Sequence, residues 1–180
     1  MLASVAGEHF FWITSRAAGI VALLASSAGV GVGLTMGGRF VKGRLPELRA
    51  AHEALSLTAI AALVLHALSL LGDAYLHPSL ADVAIPFASG YHRLWTTTGI
   101  VGGWIVILLG LSYYVRGRIG VARWRVLHRF AALGWLLGVI HTLGEGSDAG
   151  AAWFLLVAAA FVLPAAGLLL ARISPEEEPA

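Results

Sequence analysis

Seven histidines are spread along this 180-residue chain, and four of them, His52, His66, His128 and His141, lie in or beside stretches with few charges. An ionisable group in such surroundings is costly to bury and marks a functional site by default. His66 follows His52 by 14 residues, about 21 Å along a helix and close to four whole turns, so both imidazoles look the same way. His128 and His141 are 13 residues apart, about 20 Å along a helix. Two neighbouring helices would each present one imidazole near either end, His52 opposite His128 and His66 opposite His141. A neutral imidazole is a metal ligand, and two approaching from opposite sides form the axial set of a b-type haem. The spacing therefore predicts two haem b groups, one on His52 and His128, the other on His66 and His141.

One number fits less well. In a straight helix 13 residues leave a remainder of about 220°, so His128 and His141 would not share a face. Overwinding or a bend near Gly134 and Gly138 would realign them, and glycine there would let a flat macrocycle approach the backbone. The ordinary role of a single intramembrane histidine is a hydrogen bond to a neighbouring helix. Four at matched depths fit ligation better. The alternative from another class is a His-lined transporter or proton or metal pathway without haem. It is weakened because the apolar runs hold no Asp or Glu to partner the histidines. A non-catalytic assembly subunit is a third reading. His9, His77 and His92 read as surface or interface residues.

The elements that carry these residues follow from composition. Apolar residues make up 58% of the chain and charged ones 12%, about half the usual charged share of a soluble domain. A soluble fold of this length cannot bury so much apolar surface in one core. A soluble enzyme, a nucleic-acid binder and a disordered chain are excluded, and lipid must supply the burial. The chain has no cysteine, which removes disulfides, thiolate catalysis, cysteine-ligated clusters and covalent haem attachment. Five runs lack Asp, Glu, Lys and Arg: Ala17–Gly38, Ala54–Gly72, Leu94–Val115, Phe130–Gly144 and Ala149–Ala171. They lack the alternation of barrel strands. The expected architecture is an all-α bundle of five transmembrane helices, about residues 12–38, 51–73, 94–115, 125–144 and 149–172, in one domain. Met1 to Phe11 holds Glu8 and no Lys or Arg, the wrong start for a signal peptide. No Gly-rich dinucleotide fingerprint occurs, and Gly29–Gly33 reads as close helix packing.

Charge gives the bundle two sides. Arg39, Lys42, Arg44 and Arg49 separate the first two runs, and Arg116, Arg118, Arg123, Arg125 and Arg129 the third and fourth. The other two loops carry Asp73, Asp82 and Arg93, then Glu145 and Asp148. By the positive-inside rule the basic loops are cytoplasmic, with the N-terminus outside and the C-terminus inside. His52 and His128 then lie at the inner level, His66 and His141 at the outer. Arg49, Arg125 and Arg129 stand within a turn of the inner pair, where a guanidinium could pair with haem propionates. Arg16 is level with the outer pair and could do the same, or could snorkel to the interface. Trp135 falls at a depth between the two haems.

With these residues in view, the chain resembles the ferric reductase-like transmembrane domain family over about residues 10 to 172. The resemblance rests on the 14- and 13-residue histidine offsets, Trp12-x-x-x-Arg16-x-x-Gly19, and Arg125-x-x-His128-Arg129. That family holds the membrane cytochrome b portions of ferric reductases and NADPH oxidases, and the haem subunit of the periplasmic methionine sulfoxide reductase. The resemblance implies two b haems passing electrons outward from a cytoplasmic donor, in a bacterial inner membrane. It implies His52 with His128 on the inner haem, His66 with His141 on the outer, and Arg16 beside the outer one. The donor is expected to be quinol or a separate flavoprotein; the acceptor is an extracytoplasmic protein, ferric iron or oxygen. Family members usually have six helices and many add flavin and nicotinamide domains. This chain shows five spans and neither domain, so it is expected to be the electron-transfer subunit of a larger oxidoreductase system.

Overall fold

A computed structural model describes residues 2–37 and 44–174, with side chains from His9 onward. Arg39 and Lys42 of the first basic loop and the tail 175–180 lie outside the described residues. Every regular element among the described residues is helical: α1 (Leu2–Gly37), α2 (Leu45–Leu70), α3 (Leu80–Ala84), α4 (Arg93–Leu111), α5 (Arg116–Ile119), α6 (Val121–His128), α7 (Ala131–Glu145) and α8 (Ala152–Ile173). Five stretches are long and apolar enough to cross a membrane: His9–Gly37, Leu45–Leu70, Arg93–Ile119, Val121–Glu145 and Ala152–Ile173. Five spans were expected, and five form.

The ends differ from expectation for local reasons. α1 starts at Leu2 and not near Trp12, because the apolar run marks where lipid can cover a helix, not where the helix must stop. α2 starts at Leu45 and not at 51, with Pro46 in its first turn and Glu47 beside it. Proline there has its φ preset and gives up an N–H that would be unpaired anyway, and an acidic first turn suits the helix dipole. A 3-10 turn, Ser112–Val115, joins α4 to α5.

The largest difference is in the fourth span, which is two helices. α6 ends at His128, and Arg129 and Phe130 turn into α7. The amides of Arg129, Phe130, Ala132 and Leu133 bond three residues back, to Val126, Leu127, Arg129 and Phe130, at 3.0–3.3 Å. Such winding advances about 120° per residue against 100° in an α-helix, so four residues add about 80°. The 220° remainder becomes about 300°, within about 60° of a whole turn. The realignment lies at Arg129–Leu133, next to His128, and not at Gly134 and Gly138 where it was expected.

Between helices in lipid there is little hydrophobic drive, and association rests on close backbone approach and hydrogen bonds. α1 is the hub, packed on α2, α8 and α7, while α4 packs on α7. Leu23, Phe154 and Ala158 form a buried cluster among α1 and α8, flanked by Ile20 and Val139. α4 and α7 touch backbone to backbone: a Cβ added at Gly102 would lie 2.8 Å from the Gly134 carbonyl oxygen. Midway along the bundle the buried Trp135 donates its indole N–H to Ser27 Oγ at 2.9 Å, and Ser27 donates to the Leu23 carbonyl at 2.7 Å. α2 and α7 are different. They face each other without packing, and that gap holds the histidines.

Candidate functional site

Each of the four histidines stands on one helix and leans on another. His52 and His66 on α2 lean on α1; His128 at the end of α6 and His141 on α7 lean on α4. His52 Nδ1 donates to the Gly29 carbonyl at 2.8 Å, and His66 Nδ1 to the Ser15 carbonyl at 2.8 Å. His141 Nδ1 donates to the Trp95 carbonyl at 2.9 Å, and His128 Nδ1 to the Leu109 carbonyl at 3.3 Å. A carbonyl accepts only, so all four rings carry their proton on Nδ1 and present Nε2 as a free lone pair. The acceptors repeat the ligand spacing. Ser15 and Gly29 on α1 are as far apart in sequence as His52 and His66, and so are Trp95 and Leu109 on α4.

Glycine makes room for three of the rings. An added Cβ would come 3.0 Å from His52 at Gly33, 3.1 Å from His66 at Gly19 and 2.7 Å from His141 at Gly99. Gly19 and Gly33 repeat the same sequence offset.

Across the gap the rings pair as the spacing predicts. The His52 and His128 ring centres are 6.0 Å apart with planes at 84°; those of His66 and His141 are 6.4 Å apart at 69°. Two metal–nitrogen bonds of about 2.0–2.1 Å, plus roughly 1.1 Å from nitrogen to ring centre on each side, give about 6.3 Å for two imidazoles on one metal. Both pairs match that span. Edge-to-face contact between two rings spans the same range, and the near-perpendicular planes of both pairs suit either arrangement. The donor set also suits a planar metal group. Each pair offers two imidazole nitrogens from opposite helices, the donor set such a group takes from a protein.

Gly138 supplies room beside the outer pair. Taking His141 as zero, Gly134, which touches α4, lies at about 20° around α7, Trp135, which touches α1, at about 120°, and Gly138 between them at about 60°. A Cβ at Gly138 would meet no atom within 4 Å. It therefore points into the bundle, at the gap, as a backbone surface a flat group can approach.

The arginines divide. Arg129 is exposed beside His128, as are Arg49 and Arg125 at the same end. Arg16 forms a two-pronged ion pair with the buried Asp148 and lies over the Trp12 ring at 5.1 Å. Of the other histidines, His92 stands 3.7 Å from Glu145 and stacks on Tyr91. Sequence reasoning missed the four carbonyl acceptors and the role of Gly19, Gly33 and Gly99. The equal offsets of Gly19–Gly33 and His52–His66 were the available signal.

No family model matches the chain, and neither a curated protein nor a solved structure matches it.

Proposed function

We propose that this chain is a transmembrane b-type cytochrome that relays single electrons across the membrane, with His52 and His128 holding one haem b and His66 and His141 a second. The observation that carries this reading is the two pairs of opposed imidazoles, with ring centres 6.0 and 6.4 Å apart, each ring turning its Nδ1 to a helix carbonyl. The sequence resemblance to the ferric reductase-like transmembrane domain supports the same reading. When bound, a haem held by His52 and His128, or by His66 and His141, would supply reversible one-electron chemistry, with both histidines of the pair taken up in holding it.

The chain's own residues do the rest. α1 and α4 carbonyls fix ring orientation and raise ligand basicity through Nδ1. The glycines admit the rings, and the α2–α7 gap excludes side chains from the space between them. Arg129 at one level and Arg16 at the other offer guanidinium groups to carboxylates, Arg16 sharing its charge with Asp148. The positive-inside rule puts the Arg116–Arg129 segment on the cytoplasmic side, the N-terminus outside and the C-terminus inside. Electrons then pass outward, from quinol or a separate flavoprotein to an extracytoplasmic protein, ferric iron or oxygen. The resemblance to the bacterial haem subunit favours a bacterial inner membrane and a role as one subunit of an oxidoreductase system.

Single alanine substitutions test the ligand assignment. His52→Ala and His128→Ala should each remove the same haem, and His66→Ala and His141→Ala the other, read as haem per chain and as the loss of one of two redox transitions. Full haem content in both His52→Ala and His66→Ala overturns the pairing.

A further inference from the structure

The four imidazoles are not held alike. Three have short bonds to their carbonyls, 2.8–2.9 Å, and a glycine at the ring. His128 has neither. Its bond to the Leu109 carbonyl is 3.3 Å, and the same oxygen accepts a shorter bond, 2.6 Å, from Ser112 Oγ. Carried forward from Gly99, the offset that separates Gly19 from Gly33 arrives at Tyr113, so no glycine floor repeats there.

Trp124 takes that place. It stands one helical turn before His128, and its indole lies nearly parallel to the imidazole, ring centres 4.9 Å apart and planes at 25°. The indole N–H donates to Ser112 Oγ at 3.0 Å, so a closed circuit runs Trp124 to Ser112 to the Leu109 carbonyl and back to His128. Tyr113 rests edge-on against Trp124, with the Arg116 guanidinium 3.8 Å above its ring.

Two consequences follow. A ring whose hydrogen bond is long and shared takes its plane from what it stacks on, here an indole pinned at its nitrogen. A weakly held Nδ1–H also makes imidazole a poorer electron donor than a firmly held one, because the hydrogen bond from Nδ1 is what raises ligand basicity. A poorer donor favours the ferrous over the ferric iron.

Building on the haem assignment above, we propose that Trp124, anchored by Ser112, is the positioning residue for His128: it sets the imidazole plane near perpendicular to His52 and, with Ser112 occupying the Leu109 carbonyl, makes the haem that His52 and His128 would hold easier to reduce than it would be if His128 kept a full hydrogen bond. Ser112 is thus a tuning group that touches no cofactor.

Three variants of the purified holoprotein test this, read by electron paramagnetic resonance of the oxidised form and by redox titration. Ser112→Ala frees the Leu109 carbonyl for His128, and the midpoint of one haem should fall by about 59 mV, a tenfold change in the one-electron ratio. Trp124→Leu removes the stack and should move one of two low-spin signals, the one that His128→Ala abolishes. Trp124→Phe keeps a stacked ring and should retain that signal near its original position. Two bound haems with both signals and both midpoints unchanged in Ser112→Ala and Trp124→Leu overturn the inference and leave the haem assignment standing. A change confined to the His66/His141 signal overturns it too. Wild-type protein without haem overturns the assignment itself, and this inference with it.

Discussion

Glycine-to-alanine substitutions at the imidazoles should cost function in an order set by distance. Ordinary contact for a new Cβ begins at 3.4 Å, and the distances to the facing ring are 2.7 Å at Gly99, 3.0 Å at Gly33 and 3.1 Å at Gly19. The rings must therefore retreat by about 0.7, 0.4 and 0.3 Å. At Gly99 the retreat takes the His141–Trp95 bond from 2.9 Å towards about 3.6 Å, beyond hydrogen-bond range. Leaving that donor unpaired costs about 1–3 kcal/mol, or roughly five- to 150-fold in the hold on His141. Alanine also favours a helix over glycine by about 0.8–1.0 kcal/mol wherever it is introduced, so differences along the series report the contact. Gly31 is the internal control, since a Cβ there meets nothing within 4 Å. Haem retained per chain after purification, with the paramagnetic signal of the His66/His141 pair, should fall in Gly99→Ala; that signal should shift slightly in Gly19→Ala, the His52/His128 signal should shift slightly in Gly33→Ala, and both should stay unchanged in Gly31→Ala. Wild-type haem content and signals in Gly99→Ala, or an equal loss in Gly31→Ala, would refute the reasoning.

The chain has no cysteine, so single introduced thiols can report its orientation: Tyr75→Cys, at a residue 88% exposed, should react with an impermeant maleimide added outside, and Arg118→Cys only after the membrane is opened. Trp135→Phe deletes the hydrogen bond to Ser27 and should lower stability by about 0.6–1.5 kcal/mol in detergent-titrated unfolding, with haem content retained. Asp82 has its carboxyl held below the usual range by hydrogen bonds from the Ser79 side chain and backbone, which close a capping box on α3. A depressed carboxylate stabilises the fold above its unfolded value and loses that contribution as pH falls through the folded one. Amide exchange in α3 should therefore accelerate under acid in the wild type, and at every pH in Asp82→Asn.

The five spans were legible because lipid-exposed helices need long charge-free runs, and such runs leave little else to read. The pairing of His52 with His128 and of His66 with His141 was legible for a related reason: an intramembrane imidazole is rare enough for its spacing to carry information. What holds the rings was not. Backbone carbonyls of Ser15, Gly29, Trp95 and Leu109 accept from Nδ1, and a carbonyl is the same whatever residue bears it. The break after His128 carried no sign either, since neither Arg129 nor Phe130 is a helix breaker; α6 and α7 are set by what they pack on. Gly134 drew attention as a bend and proved to be the close contact with Gly102, because a glycine in a helix reads alike in both roles. The stack of Trp124 on His128 is an i, i+4 pair that the sequence contains openly, but its meaning depends on Ser112, which a separate helix brings to the indole.

The most direct measurement is haem per chain in the purified protein, from the reduced-minus-oxidised spectrum and the pyridine haemochrome of a weighed sample. Four committed imidazoles in two pairs predict a b-type spectrum at two haems per chain, falling to one when either ligand of a pair is replaced. A colourless protein that purifies with zinc or copper on the same histidines would contradict the account.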